Sequence, residues 1–245
     1  MTPAEVVKLA KENGARFVDL KFIDLPGRWQ HFSIPVSELN EDIFEEGLGF
    51  DGSSIEGWKA IHNSDMLVIP DPTTAKIDPF IKVATVSLIC DVVEPDTLQS
   101  YGRDPRGVVK RAQSYLKSTG LGDTAYFGPE AEFFVFDDVR FETSMHQMYY
   151  LLDQEEGPYN SGREYEGGNS GHRPGPKGGY FPVAPVDSMA DMRAEMLTHM
   201  ESMGIKVEKH HHEVAPSQNE LGFEFDTMLR TADFMQTYKY VVHQT

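Results

Sequence analysis

The sequence predicts an α+β protein: a small mixed-sheet domain first, then an antiparallel sheet with flanking helices. Three observations carry this. Strand-like alternation with short turn signals fills much of residues 16–34 and 66–93. Pro95, Gly102 and Pro105 then interrupt the apolar pattern, which sets a boundary between domains at residues 1–100 and 104–245. Beyond it, helical patterns near residues 104–118, 187–203 and 231–245 surround strand-like runs at 124–137 and 205–226.

The elements follow in order. Thr2 is a good N-cap, Pro3 suits the first helical position and Glu5 completes a capping box, so a helix opens the chain and stops at Asn13-Gly14. Arg16 to Ile23 alternates as a strand, Leu25-Pro26-Gly27-Arg28 turns, and Trp29 to Ile34 returns. A short helix is expected from Ser37 to Glu46, stopped by Gly47. The loop Asp51-Gly-Ser-Ser-Ile-Glu-Gly-Trp58 is rich in small residues, which permit unusual backbone angles; taken alone, Asp51 caps its own backbone there.

Met66–Pro70 and Ile81–Val93 are further strands, the second holding Cys90 as a small buried hydrophobe. Asp104-Pro105 caps a helix that runs to Ser118 and ends at Gly120. Asp153 to Gly179 is polar and rich in glycine and proline, a loop of a length usually tied to function. In the helix from Asp187, Met189, Met192, Met196, Met200 and Met203 share a face as core filling. The last helix carries Phe234, Met235, Tyr238, Val241 and Val242 on one side.

Composition narrows the function classes. A net charge of −17 disfavours nucleic acid and anionic membranes as partners. An anionic substrate would need metal ions or local cations to offset that field. The single cysteine excludes an internal disulfide framework and a cysteine-based zinc site. No secretory leader or membrane-length apolar run is seen, so a cytoplasmic location is expected.

Two acidic stretches carry the chemistry. Glu213 and Glu220 stand seven positions apart, a spacing one helix face would accommodate. Pro216 argues against that helix, so the region reads as strand–loop–strand and returns both carboxylates towards one point. Upstream, Glu130 and Glu132 lie two apart in Phe127-Gly-Pro-Glu-Ala-Glu-Phe-Phe134, which on a strand puts both on one face. Like charges beside Phe133, Phe134 and Phe136 need cations or protons. Converging, the four glutamates would suit Mg²⁺ or Mn²⁺.

His210-His211-His212-Glu213 lacks the helical H-E-x-x-H zinc arrangement, because Pro216 takes the second histidine's place. On a strand His211 shares a face with Glu213. The histidines are read as supporting or core groups, with ligation by one of them the alternative.

Phe127–Phe134 and His211-His-Glu-Val-Ala-Pro-Ser-Gln-Asn-Glu220 closely resemble metal-binding motifs of type I glutamine synthetase. Phe50–Trp58 and Lys177-Gly-Gly-Tyr-Phe-Pro-Val183 match the same family in the same order, so the resemblance covers the whole chain. It implies a β-grasp-like N-terminal domain and the first part of the synthetase catalytic domain. It also implies a ring-shaped homo-oligomer, a dodecamer, with active sites between subunits.

The implied reaction joins ammonia to L-glutamate with ATP through γ-glutamyl phosphate. Glu132, Glu213 and Glu220 would hold one metal ion, and Glu130 a second that bridges the ATP phosphates. Asp51 would bind and deprotonate ammonium in a neighbouring subunit's site, assisted by Tyr180 and Glu213. Glu208 matches a position that contacts ATP. It alternates away from Glu213, so that contact requires backbone atoms or a local irregularity.

The sequence also departs from the family. Motifs of the family's second half, including a metal-binding histidine and the arginines that grip glutamate and phosphate, do not occur among these residues. The expectation is therefore the N-terminal half of a longer protein, inactive alone, with a genuinely short relative as the alternative. The short Glu213–Glu220 interval resembles members not usually controlled by adenylylation. Two alternatives stand beside the ligase: a related ligase joining glutamate to another amine, and a non-catalytic assembly or regulatory subunit.

Overall fold

The structure, a computed structural model, describes residues 1–157 and 173–245. Along the chain its elements are α1 (Pro3–Glu12), β1 (Phe17–Ile23), β2 (Trp29–Pro35), α2 (Ile43–Glu46), β3 (Leu48–Asp51), β4 (Asp65–Pro70), β5 (Lys76–Ile77), β6 (Thr85–Val93) and α3 (Pro105–Thr119). They continue as β7 (Tyr126–Phe127), β8 (Glu132–Phe134), β9 (Asp138–Thr143), β10 (Met148–Asp153), α4 (Ala190–Ser202), β11 (Val207–His212), β12 (Gln218–Phe223), β13 (Asp226–Thr227) and α5 (Met228–Gln244). Part of the expected Asp153–Gly179 loop lies outside the described residues.

The chain divides into two compact units. The first comprises Met1–Phe127, Ser202–Gly204 and Phe225–Gln244. Its mixed sheet runs β2-β1-β6-β4-β3, with β5 on β6; β1 and β6 pair in parallel and the other neighbours are antiparallel. Val18, Leu20 and Phe22 of β1 enter a core with Val6, Met66 and Leu88. The capping box of α1 is present: Thr2 N–H donates to the Glu5 carboxylate at 2.7 Å, and Glu5 N–H donates to Thr2 Oγ1 at 3.3 Å.

The other side of β1 is also covered. Lys21 donates to Asp78 at 2.8 Å and to Ser87 Oγ at 2.9 Å, and its ammonium lies 4.4 Å from the centre of the Tyr240 ring of α5. Arg106 at the start of α3 ties the same helix down through Asp233, and also pairs with Asp71 and Asp91.

Two expectations are corrected. The helix expected over Ser37–Glu46 shortens to α2, because Asn40 Oδ1 accepts from Asp42 and Ile43 N–H and starts the helix there. The single strand expected over 124–137 is two short ones. β7 pairs with β13, β8 pairs with β12, and Pro129, which has no N–H to give a ladder, stands between them.

The second unit comprises Gly128–Glu201, Ile205–Glu224 and Thr245. It holds a three-stranded antiparallel sheet in the order β11-β12-β8, the ribbon β9-β10 and helix α4. Met196 and Met200 are buried, as core methionines should be. Arg193, on the same helix, is fully buried too, donating to Asn219 Oδ1 at 2.6 Å and pairing with Asp187. Among the described residues no helix is long and apolar enough to cross a membrane.

Candidate metal centre

The centre is assembled by register. Glu132 of β8 faces Glu220 of β12, and Glu220 faces His211 of β11. Directly opposed residues share a face, so these side chains form one row across the sheet. Glu130 does not continue it as expected. It precedes β8 on irregular backbone after Pro129, so only Glu132 is on the strand.

Glu213 enters at the end of β11. The chain then reverses: Gln218 N–H donates to Ala215 O at 3.2 Å and Glu213 N–H to Gln218 O at 2.7 Å. Pro216 occupies the second turn position and Ser217, with φ 57°, the third, a pattern that fits a type II turn. Val214 N–H donates to Glu213 Oε2 at 3.0 Å, and His211 Nε2 lies 2.7 Å from Glu213 Oε1. The same imidazole nitrogen stands 3.3 Å from Glu220 Oε2.

One ligand atom from each of His211, Glu213 and Glu220 thus lies within 4.8 Å of the others. Gln218 Nε2 donates to the Glu132 carboxylate at the edge of this group.

Burial first, and then the like charges of Glu213 and Glu130, raise the Glu220 pKa, against the opposing pull of His211 and Lys209. A divalent cation would relieve that repulsion. The donor set, mainly carboxylate oxygens with one imidazole nitrogen, fits Mg²⁺ or Mn²⁺.

The stretch containing Tyr180 runs beside the end of β11. Gly179 N–H donates to Val214 O at 3.0 Å and Phe181 N–H to His212 O at 3.3 Å. A Cβ on Gly179 would stand 2.7 Å from His212 Cε1 and 2.9 Å from Glu213 O, so this approach requires glycine. Tyr180 stacks on Phe181 with ring centres 4.1 Å apart and meets His211 edge-on at 5.7 Å. It is exposed, not the packing residue that its type alone would suggest.

Glu208 sits where the β11–β12 register shifts, between Val207 and Lys209, and is exposed. Asp51 belongs to the first unit, at the end of β3, where it accepts from Ser53 Oγ at 2.6 Å and Ser53 N–H at 2.8 Å. Those hydrogen bonds lower its pKa and keep it ionised.

Sequence reasoning kept ligation by a histidine only as the alternative, although alternation had put His211 on the Glu213 face; the structure sets His211 among the carboxylates. Glu156 was missed altogether. Its buried carboxylate accepts from His212 Nε2 at 2.8 Å, Ser217 N–H at 2.8 Å, Ser188 N–H at 3.1 Å and Ser188 Oγ at 2.6 Å. Burial alone would raise this carboxyl, but the donors hold it at about 2. His212 Nδ1 faces Glu213 O at 2.6 Å, so both ring nitrogens face acceptors and both donate.

Two family models match the chain. The model of the glutamine synthetase beta-grasp domain matches residues 14–95, and that of the glutamine synthetase catalytic domain matches residues 102–245. Glutamine synthetase of Azospirillum brasilense is 59% identical over 240 residues, 98% of this chain and 51% of that protein. A 3-hydroxylaminophenol mutase of Cupriavidus pinatubonensis is 57% identical over 240 residues, again 98% of this chain and 51% of the relative.

The cryo-EM structure of Plasmodium falciparum glutamine synthetase superposes with a TM-score of 0.87 at 25% identity, covering 99% of this chain and 48% of that one. The chain spans about half the length of the curated relatives it matches. It belongs to the glutamine synthetase family, and carries that family's β-grasp and catalytic-domain sequences.

Proposed function

We propose that this chain provides the metal-binding face of an ATP-dependent glutamate–ammonia ligase. The observation that supports this most is the convergence of Glu213, Glu220 and His211, with Glu132 in register beside them, in a chain of this family. Glu132, Glu213 and Glu220 would hold one divalent ion, Mg²⁺ or Mn²⁺, and Glu130 would hold a second. When bound, such ions offset charge on the transferring phosphoryl group and orient it.

The chain's own groups do the remaining work. Glu208, at the register shift, faces the nucleotide. Asp51 is ionised and exposed, so it can hold ammonium, and in the assembled homo-oligomer it does so in a neighbouring subunit's site. Tyr180 and Glu213 line the same ammonium pocket. Glutamate is activated as γ-glutamyl phosphate, and ammonia displaces phosphate to give glutamine. In this reading the protein acts in the cytoplasm.

The test is an assay of protein purified from its natural source, with glutamate, ATP, Mg²⁺ and either ammonium, methylamine, ethylamine or no amine. Glutamine and phosphate should form with ammonium alone. A mutase is among the relatives of comparable identity, so the readout should be product mass as well as phosphate. Preference for a larger amine, or an assembled protein that makes no amide, would overturn the ligase reading.

A further inference from the structure

Glu156 has no role in the site as described, yet it is one of the most heavily engaged carboxylates in the second unit. Its two oxygens divide their partners. Oε1 accepts from Ser188 N–H and Ser188 Oγ, and Oε2 accepts from His212 Nε2 and Ser217 N–H. Glu156 is 3% exposed, His212 1% and Ser217 0%, so water does not compete for these bonds.

The two Oε2 partners flank Glu213 on both sides in sequence. His212 carries the contact onward, because its other ring nitrogen donates to the Glu213 carbonyl oxygen at 2.6 Å. Ser217 is the residue at φ 57° that reverses the chain, a left-handed conformation that a non-glycine residue rarely adopts. One carboxylate therefore fixes the start and the strained corner of the loop between Glu213 and Gln218. That loop aims the Glu213 carboxylate at His211, and its last residue, Gln218, donates to Glu132.

We propose that Glu156 is a positioning residue for the metal centre. It touches no reacting atom; through His212 and Ser217 it sets where the Glu213 carboxylate stands relative to Glu220 and His211. The inference rests on reading that face as a divalent-cation site.

The experiment is a calorimetric Mn²⁺ titration of the full chain, comparing wild type, Glu156→Ala and Glu156→Gln, with folding checked by near-UV circular dichroism. Glu156→Ala should weaken Mn²⁺ binding at least about tenfold, the size seen when a group supporting a metal ligand is removed. Glu156→Gln keeps one oxygen for His212 and Ser217 and should recover part of that loss. It also decides the question if the alanine variant fails to fold.

A purely structural role would lower thermal stability and leave the affinity of the folded protein unchanged. Folded variants that bind Mn²⁺ within twofold of wild type would therefore overturn the proposal while the metal centre stood. Wild-type protein that binds no Mn²⁺ would remove the centre and the proposal together.

Discussion

At the scale of single residues, Asp19 and Lys21 show what alternation conveys and what it omits. They alternate with Val18, Leu20 and Phe22 along β1, the pattern of a strand with one solvated face. Both are nevertheless buried, at 1% and 4% exposure. The cover is Tyr240 of α5 together with Trp29, whose rings lie 4.4 and 5.1 Å from the Lys21 ammonium. No local pattern announces a helix so distant in sequence. Asp78 completes the arrangement, accepting from Lys21 at 2.8 Å and from the Tyr240 hydroxyl at 3.0 Å. Among the described residues, Asp78→Ala would leave the lysine with only Asp19 at 3.5 Å as counter-charge. Breaking a buried pair from one side costs roughly 3–5 kcal/mol, and the remaining aspartate puts the expected loss at about 3. Urea unfolding would measure it, and a loss below about 1 kcal/mol would mean that water or Asp19 compensates. The site glutamates were legible for the opposite reason. Glu132 is a carboxylate in an apolar run beside Phe133, Phe134 and Phe136, and Glu220 stands seven residues from Glu213 across Pro216, whereas Glu156 lies in a polar stretch where one more acid carries no signal.

At the scale of elements, the decisive unit is the turn from β11 to β12 and the glycine-rich stretch beside it. Pro216 made the reversal readable, since proline excludes a helix there and suits the second position of a turn. The positive φ at Ser217 was not readable, because serine is not a residue that advertises it; in the fold its N–H donates to Glu156 Oε2 at 2.8 Å. Gly179 was noticed only within a motif, and its physical reason is the space it leaves. A methyl group there would stand 2.9 Å from the Glu213 carbonyl oxygen, a backbone atom that cannot swing aside. Gly179→Ala should therefore break the hydrogen bond to Val214 and push Tyr180 away from His211. Overpacking of this kind costs about 1–3 kcal/mol, which chemical denaturation would report. An unchanged midpoint would show that the strand end yields easily and that Tyr180 is not held by this contact.

At the scale of the whole molecule, the mixed first sheet and the antiparallel second one were expected from alternation and turn signals. The parallel pairing of β1 with β6 was not, because residues so far apart in sequence leave no local trace of their partnership. Charge is the property that joins composition to the site. A chain at −17 repels anions, and the unit carrying Glu132, Glu213 and Glu220 concentrates that repulsion on one sheet face. Folding the unit therefore works against carboxylates that a divalent ion would relieve, so ion binding and stability must be linked. For a site that only the folded state offers, free metal at about 100 times its dissociation constant adds roughly 2.7 kcal/mol. Thermal unfolding in Mn²⁺ should accordingly shift to higher temperature, and chelator should reverse the shift. Glu220→Gln should remove most of it, since that carboxylate stands between His211 and Glu132 in the row. The control is NaCl at matched ionic strength, which screens the net charge without occupying a site. A shift specific to the divalent ion and lost in Glu220→Gln supports the centre. An equal shift in NaCl would assign the effect to general screening, and the clustered glutamates would then be an acidic surface that happens to face inward.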